Sequence, residues 1–372
     1  TDPAPPELYT SRLSSAASDV YKRQGEWTGV DLHDAVIYEL HIGTFTAEGT
    51  FDAAIRHLPR LAELGVTLAE VMPVAAFPGA RNWGYDAVFP FAVQHCYGGP
   101  TGLAGFVDAA HRFGVGVLLD VVYNHLGPEG NVLGRFGPYF TDAHRTPWGD
   151  AVNVAEAGSD SVRRYFIENA VGWIRDHHLD GLRLDAVHAI VDPTPVPFVQ
   201  ELTAAVHAAA RQDGRSALVT IESSANDPRI VRPVEEHGWG CDAVWNDDVH
   251  HALRVALTGE RHEYYRAYSG AADLARAWEQ RWVYSGQYSA SFDRRHGAPA
   301  DGIDHRRFVV FGTNHDHVGN TPAGQRLLAD ADPTDPRHRL AAAAILLSPF
   351  TPMLFMGEEY GESAPFAYFV DH

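Results

Sequence analysis

The chain has 372 residues and a net charge of −19, from 48 acidic and 29 basic side chains. A negative field disfavours nucleic acid and anionic membranes as partners, and no run of 18 apolar residues predicts a membrane span. The two cysteines, Cys96 and Cys241, are too few for a disulfide framework, so we expect a reduced, cytoplasmic protein.

Residues 1–34 are predicted to be a leader and linker. The segment is Pro-rich and polar at its start, and it lacks the basic and apolar regions of an export signal. Its stretch 14–24 fits no amphipathic pattern and contains Lys22, the only lysine of the chain. We interpret part of this leader as foreign sequence and predict one catalytic domain over 35–372.

Short apolar segments alternate with helical patterns from residue 36 onward. The predicted strands are Val36–Gly43, Thr67–Val74, Val115–Asn124, Gly181–Val187, Ala217–Ser223, Asp242–Asn246, Phe308–Asn314 and Pro352–Met356. Helical patterns lie between most of them, at Phe51–Leu64, Leu103–Phe113, about 162–174, Val196–Arg211, a region ending near Trp282, and Arg339–Leu347. This alternation predicts an α/β fold, a (β/α)₈ TIM barrel truncated before its last helix, with an inserted loop at 126–159 after the third strand.

Ionisable residues collect where the predicted strands end, which is where reacting groups lie in such barrels. Side chains alternate along a strand, so Leu182 and Leu184 share one face while Arg183 and Asp185 share the other. Leucines suit the helix-facing side, which directs Arg183 and Asp185 into the barrel mouth. The same parity turns Glu222 inward. Asp120 and Asn124 share a face of the third strand, and Asp316 is placed at the end of the seventh.

Several inward acids around one arginine indicate chemistry, because burying charge without compensation is costly. Two close carboxylates suit glycoside hydrolysis, in which one attacks and the other moves the proton. A third carboxylate can stabilise the cation-like transition state. Aromatic residues near the mouth can stack on sugar rings or simply pack, and packing is the more frequent role; they are Trp83, Tyr85, Tyr123 and Trp148.

Four motifs at these strand ends resemble the signatures of the α-amylase family of retaining glycosidases, in the family's order. They are DVVYNH at Asp120–His125, GLRLDAVHAI at Gly181–Ile190, TIESS at Thr220–Ser224 and TNHDHVGN at Thr313–Asn320. The resemblance extends over about 36–372. It implies a TIM barrel that hydrolyses α-glucans.

The resemblance also implies a role for each matching residue. Asp185 is the implied nucleophile, Glu222 the general acid/base and Asp316 the transition-state stabiliser. Arg183 is expected to keep Asp185 ionised, because a nearby cation lowers the pKa of a carboxyl group. The remaining implied substrate-binding residues are Tyr85, Asp120, His125, His188 and His315.

Further segments are similar to one group within that family, the malto-oligosyltrehalose trehalohydrolases. These segments include NWGYDAVFPFA at Asn82–Ala92 and GEEYGESAPFAYFVDH at Gly357–His372. The group releases trehalose from the end of a modified maltodextrin, so malto-oligosyltrehalose or maltodextrin is the expected substrate. The chain departs from the group's pattern at Ser224, Thr313, His317 and Thr321, where an acidic residue, Gln, Gln and Arg are usual.

Other functions stay open at this point. A glycogen branching enzyme is the nearest alternative, although its fourth motif usually begins SHDE rather than NHDH. A metal-dependent hydrolase would need paired histidines on an early strand, where only His41 is present. A non-catalytic barrel is the third alternative. We expect neither a cofactor nor a catalytic metal, and the sequence leaves the oligomeric state open.

Overall fold

Eight parallel strands close into a barrel in the computed structural model, which describes residues 27–321, 323–332 and 334–371. The strands are β1 (Ile37–Leu40), β2 (Leu68–Val71), β3 (Gly116–Val121), β4 (Gly181–Leu184), β5 (Leu218–Ile221), β6 (Ala243–Trp245), β7 (Phe308–Phe311) and β8 (Thr351–Phe355). Each pairs with its neighbours along the chain, and β8 closes the circle on β1. The predicted barrel is therefore confirmed. The suspected foreign stretch, 14–24, lies outside the described residues.

The interior of the barrel is layered. Its lower part is a core of apolar side chains from alternate strand positions: Ile37, Leu68, Leu118, Leu218, Ala243, Trp245, Val309, Phe311 and Met353. Burying each large member contributes on the order of 1.5–3 kcal/mol. Polar residues follow toward the carboxyl ends of the strands, with Glu39 beside Glu70 and Asp120 beside Arg183 in register. The strand register thus gathers the charged groups at one end of the barrel.

Seven longer helices surround the strands in the described part of the chain. They are α1 (Leu58–Leu64), α2 (Gly99–Arg112), α3 (Ser159–Asp176), α4 (Phe198–Gln212), α5 (Asp247–Thr258), α6 (Ala271–Gln280) and α7 (Pro336–Leu346). The predicted helix Phe51–Leu64 divides into Phe51–Ile55 and α1. Pro59 explains the break, because it has no amide hydrogen and its ring crowds the carbonyl four residues earlier. None of the helices described is both long and apolar enough to cross a bilayer.

The inserted segment 126–159 contains regular structure that the sequence analysis did not predict. Phe140–Thr146 and Gly149–Val152 form an antiparallel hairpin whose tip carries Trp148. A second unpredicted pair joins Ala75–Ala76 to Phe89–Val93. The hairpin contains Pro147 and several exposed polar residues, so the alternation of apolar and polar residues that reveals a strand is weak there.

Candidate active site

Arg183 is the centre of the charged layer. Its side chain is fully buried, and Nη1 donates to Oδ2 of Asp120 at 2.6 Å and to Oδ1 of Asp185 at 3.0 Å. Nη2 donates to Oε2 of Glu222 at 2.7 Å. One guanidinium therefore fixes three carboxylates from three adjacent strands. The predicted inward direction of Arg183, Asp185 and Glu222 agrees with these contacts.

The backbone between β4 and the following turn sets the geometry of the carboxylate pair. Ala186, directly after Asp185, has left-handed φ and ψ values of 41° and 47°. For a residue with a side chain this conformation costs about 1–3 kcal/mol and is characteristic of functional sites. It directs the amide of Ala186 to Oε2 of Glu222, which accepts that N–H at 2.9 Å. The strained turn thus contributes a second donor to the Glu222 carboxylate.

Tyr85 and His315 line the site beside this cluster. The hydroxyl of Tyr85 donates to Oδ2 of Asp120 at 2.6 Å and lies 2.7 Å from Nε2 of His315. The two rings are nearly parallel, with centroids 5.2 Å apart. Nδ1 of His315 contacts the buried carboxylate of Glu39. A continuous chain of hydrogen bonds therefore joins Glu39, His315, Tyr85, Asp120 and Arg183.

Asp316 lies in a short helix rather than at a strand end. β7 stops at Phe311, and Asn314 caps the helix His315–Gly319 by accepting the N–H of His317 at 2.8 Å. The predicted strand Phe308–Asn314 was therefore too long. The side chain of Asp316 keeps 42% of its surface exposed, which leaves it available to a ligand.

His125 and His188 occupy different positions around the mouth. Nε2 of His125 donates to the backbone carbonyl of Tyr85 at 2.9 Å, and Trp148 stacks on its ring at 4.5 Å. His188 is exposed and lines a cleft of about 300 Å³ that also contains Glu222 and Asp316. The structure thus brings all nine sequence-predicted site residues to one end of the barrel.

Opposing effects act on the pKa of the Asp185 carboxyl group, and the predicted effect of Arg183 is one of them. Burial raises the pKa of Asp185 well above its usual range, and the charge of Glu222 raises it further. Arg183 acts in the expected direction, but these two effects outweigh it.

Two further residues of the site were missed by the sequence analysis. Trp245 ends β6, and its ring lies 4.2 Å below the guanidinium of Arg183, a cation–π contact that supports the arginine from the barrel interior. Glu39 on β1 contacts His315, as described above. The signal for Glu39 was available, because it shares strand parity with His41 and interrupts an apolar strand.

Two of the aromatic residues considered for sugar stacking have packing roles instead. Trp83 is buried and stacks on Phe366 at 4.9 Å. Tyr123 is buried, and its hydroxyl donates to Asn169 at 2.6 Å. Tyr85 and Trp148 remain as the aromatic candidates for contact with a ligand.

The departures from the trehalohydrolase pattern lie around the cleft. Ser224 and His317 line it directly. Thr313 is buried and donates to Glu358 at 2.7 Å, whereas the hydroxyl of Thr321 donates to the backbone of Val318 at 2.8 Å. His317 lies with His250 and His251 in the one histidine cluster of the described residues with a spacing suited to a metal ion.

Comparison with known proteins gives a consistent result. Residues 9–137 match the family model for the catalytic domain of α-amylase. The chain is 46% identical to the malto-oligosyltrehalose trehalohydrolase of Saccharolobus solfataricus, in an alignment covering 99% of this chain and 65% of that protein. The enzyme of the same name from Arthrobacter ramosus is 49% identical, with coverage of 93% and 60%.

A solved structure, that of a putative α-amylase from Salmonella typhimurium, superposes on the whole chain. Its TM-score is 0.86 and its sequence identity 41%, and the match covers 61% of that protein. The chain spans 65% of the length of the first relative and 60% of the second.

Proposed function

We propose that the chain is a retaining glycoside hydrolase of the α-amylase family that acts on malto-oligosyltrehalose and releases trehalose. The observation that carries the proposal is the Arg183 cluster, in which one guanidinium holds Asp185 and Glu222 beside the exposed Asp316. The substrate is inferred from the relatives, which are 46% and 49% identical and are named for that activity.

The proposed reaction proceeds in two displacements. Asp185 attacks the anomeric carbon of the glucose next to the trehalose unit while Glu222 protonates the departing oxygen. Water then hydrolyses the glycosyl ester after Glu222 has removed its proton. Asp316 stabilises the positive charge that develops on the sugar in both steps.

Substrate positioning is assigned to the surrounding residues. Tyr85 would stack beneath the sugar at the cleavage point, where its ring is held by Asp120 and His315. His125 and His315 would contact that sugar's hydroxyl groups. His188, exposed in the cleft on the Glu222 side, would contact the second glucose of trehalose.

Selection of trehalose follows from its linkage. Its two glucoses join through both anomeric carbons, so it bends differently from maltose. A site with polar groups placed for the second glucose rejects a ligand that leaves them unpaired.

We place the reaction in the cytoplasm, as the low cysteine content suggests; Cys96 and Cys241 are both unpaired.

The test is a comparison of malto-oligosyltrehalose with plain maltodextrin as substrates for the purified chain. We expect free trehalose and a kcat/KM for malto-oligosyltrehalose at least tenfold above that for maltodextrin. The Glu222→Gln variant is the control that measures background hydrolysis of both substrates. A ratio near unity would favour a general amylase, and new α-1,6 linkages in the product would favour a branching enzyme.

A further inference from the structure

Three histidines lie together beside the cleft and have no role in the proposed reaction; His251 and His317 line its wall, and His250 is buried behind them. His250 and His251 are consecutive on α5, and His317 belongs to the short helix His315–Gly319. One ring nitrogen of each lies within 4.8 Å of the other two. The rings of His250 and His317 are parallel, with centroids 3.8 Å apart, and that of His251 is 5.1 Å from His317. Residues distant in sequence thus converge on one point.

Two nitrogens of this cluster are buried without a hydrogen-bond partner among the described residues, Nε2 of His250 and Nδ1 of His251. Nδ1 of His250 lies 2.8 Å from the backbone carbonyl of Gly312, which can only accept, so this nitrogen carries the proton. Nε2 of His250 is therefore an unprotonated lone pair in a residue with no exposed surface. A buried polar atom without a partner is destabilising, and a ligand that accepts the lone pair removes that cost.

We propose that His250, His251 and His317 form a binding site for a divalent transition-metal ion of the Zn²⁺ class. Imidazole nitrogens suit this class, whereas Ca²⁺ and Mg²⁺ select oxygen ligands. A metal-bound histidine commonly donates its other ring N–H to a carbonyl or carboxylate, which fixes the orientation of the ring. The carbonyl of Gly312 has this relation to His250. Asp247, whose Oδ1 lies 3.2 Å from Nε2 of His317, places a negative charge beside the three histidines.

Binding requires a small rearrangement. Ligand nitrogens of a tetrahedral zinc ion lie about 3.4 Å apart, as bond lengths of about 2.05 Å require. The nitrogens lie within 4.8 Å of one another in the structure, and the His250 and His317 rings must tilt out of their parallel stack so that their lone pairs converge. His317 lies on a short helix at the cleft wall, and it is the residue we expect to move.

Occupancy of the site should inhibit turnover, because His317 directly follows Asp316 in the chain. Tilting the His317 ring disturbs the turn that presents Asp316, and the ion adds positive charge where the sugar becomes cationic in the transition state. This consequence rests on the proposed function. Metal binding itself does not rest on the proposed function, so metal binding and inhibition of turnover are measured separately.

Binding is tested on the untagged chain by equilibrium dialysis with Zn²⁺ and by the visible absorption of added Co²⁺. We expect one ion per chain and the intense bands of tetrahedral Co²⁺. His317→Gln and His251→Gln should each weaken Zn²⁺ binding at least tenfold. The matched control is His262→Gln, an exposed histidine just beyond α5, which should bind as the unmodified chain does.

Circular dichroism and thermal melting establish that each variant folds. If His251→Gln fails to fold, His317→Gln decides, together with the Zn²⁺-dependent rise in melting temperature of the unmodified chain. The absence of saturable Zn²⁺ binding, or equal binding by His317→Gln and the unmodified chain, would overturn the site. If the chain is catalytically active and binds Zn²⁺, but Zn²⁺ does not reduce its turnover, only the inhibitory role is overturned.

Discussion

Glu39 and His315 form a buried ion pair across the barrel mouth. Oε1 of Glu39 lies 2.5 Å from Nδ1 of His315, and Oε2 accepts the backbone N–H of His315 at 3.0 Å. Burial alone would lower the pKa of His315, but the charges of Glu39 and Asp316 raise it to about 9. The imidazole is therefore a cation at neutral pH, and its Nε2–H donates to the hydroxyl of Tyr85.

We expect Glu39→Gln to destabilise the chain by about 3–5 kcal/mol near pH 6, because it leaves one partner of a buried pair uncompensated. The folded pKa of His315, about 9, lies above the unfolded value of 6.5. The stability that this difference contributes is complete below pH 6.5 and is lost as pH rises through 9. Denaturant unfolding between pH 6 and 9.5 should show this loss in the unmodified chain and not in the variant. Glu129→Gln, at an exposed position, is the control. An unchanged pH slope in Glu39→Gln would contradict the assignment.

Asp185→Asn and Glu222→Gln should each reduce kcat by roughly 10²–10⁴ or more, the range for loss of a positioned catalytic group. Both replacements keep the shape of the side chain and an acceptor for Arg183, so the melting temperature should change little. Steady-state rates and thermal melts on the same preparations measure both effects. Near-normal turnover in either variant would mean that the chemistry is carried by other residues.

Net retention at the anomeric carbon is the expected stereochemical outcome, since Asp185 is assigned as a nucleophile. Proton NMR of the early product distinguishes the α from the β anomer before mutarotation. In a ligand-bound structure the carboxyl groups of Asp185 and Glu222 should lie about 5–5.5 Å apart, the spacing of retaining enzymes. An inverted product, or a separation near 9 Å, would assign Asp185 to another role.

Much of the site was predictable from the sequence, because strand alternation is a local property. The parity of Leu182, Arg183, Leu184 and Asp185 fixes which side chains enter the mouth, and the structure has them there. The position of Asp316 was less well predicted. A short capped helix directly after a buried strand is easily predicted as an extension of that strand.

What the sequence could not predict depends on contacts between distant residues. Glu39 and His315 are 276 positions apart, and nothing local marks them as partners. The contact between Trp245 and Arg183 is likewise invisible in the sequence. An apolar residue in a strand is predicted to lie in the core whether or not a cation packs against it. The opposing effects on the pKa of Asp185 likewise require knowledge of how deeply the carboxyl group is buried.

Glu358 is expected to add a second pH dependence to the stability of the chain. Burial raises the pKa of its carboxyl group to about 7 from an ordinary value of 4.5, while hydrogen bonds from Thr313 and the amide of Phe355 oppose the rise. A raised folded pKa means that the stabilising contribution is complete below pH 4.5 and is lost as pH rises through 7.

Glu358→Gln should therefore gain stability relative to the unmodified chain as pH increases from 5 to 8. The hydroxyl of Thr313 can accept from the new amide group, so the contact is kept. Melting temperatures across this range measure the effect, and Glu63→Gln, at an exposed position on α1, should follow the unmodified chain. A constant difference between Glu358→Gln and the unmodified chain at all pH values would show that Glu358 ionises normally in the folded state.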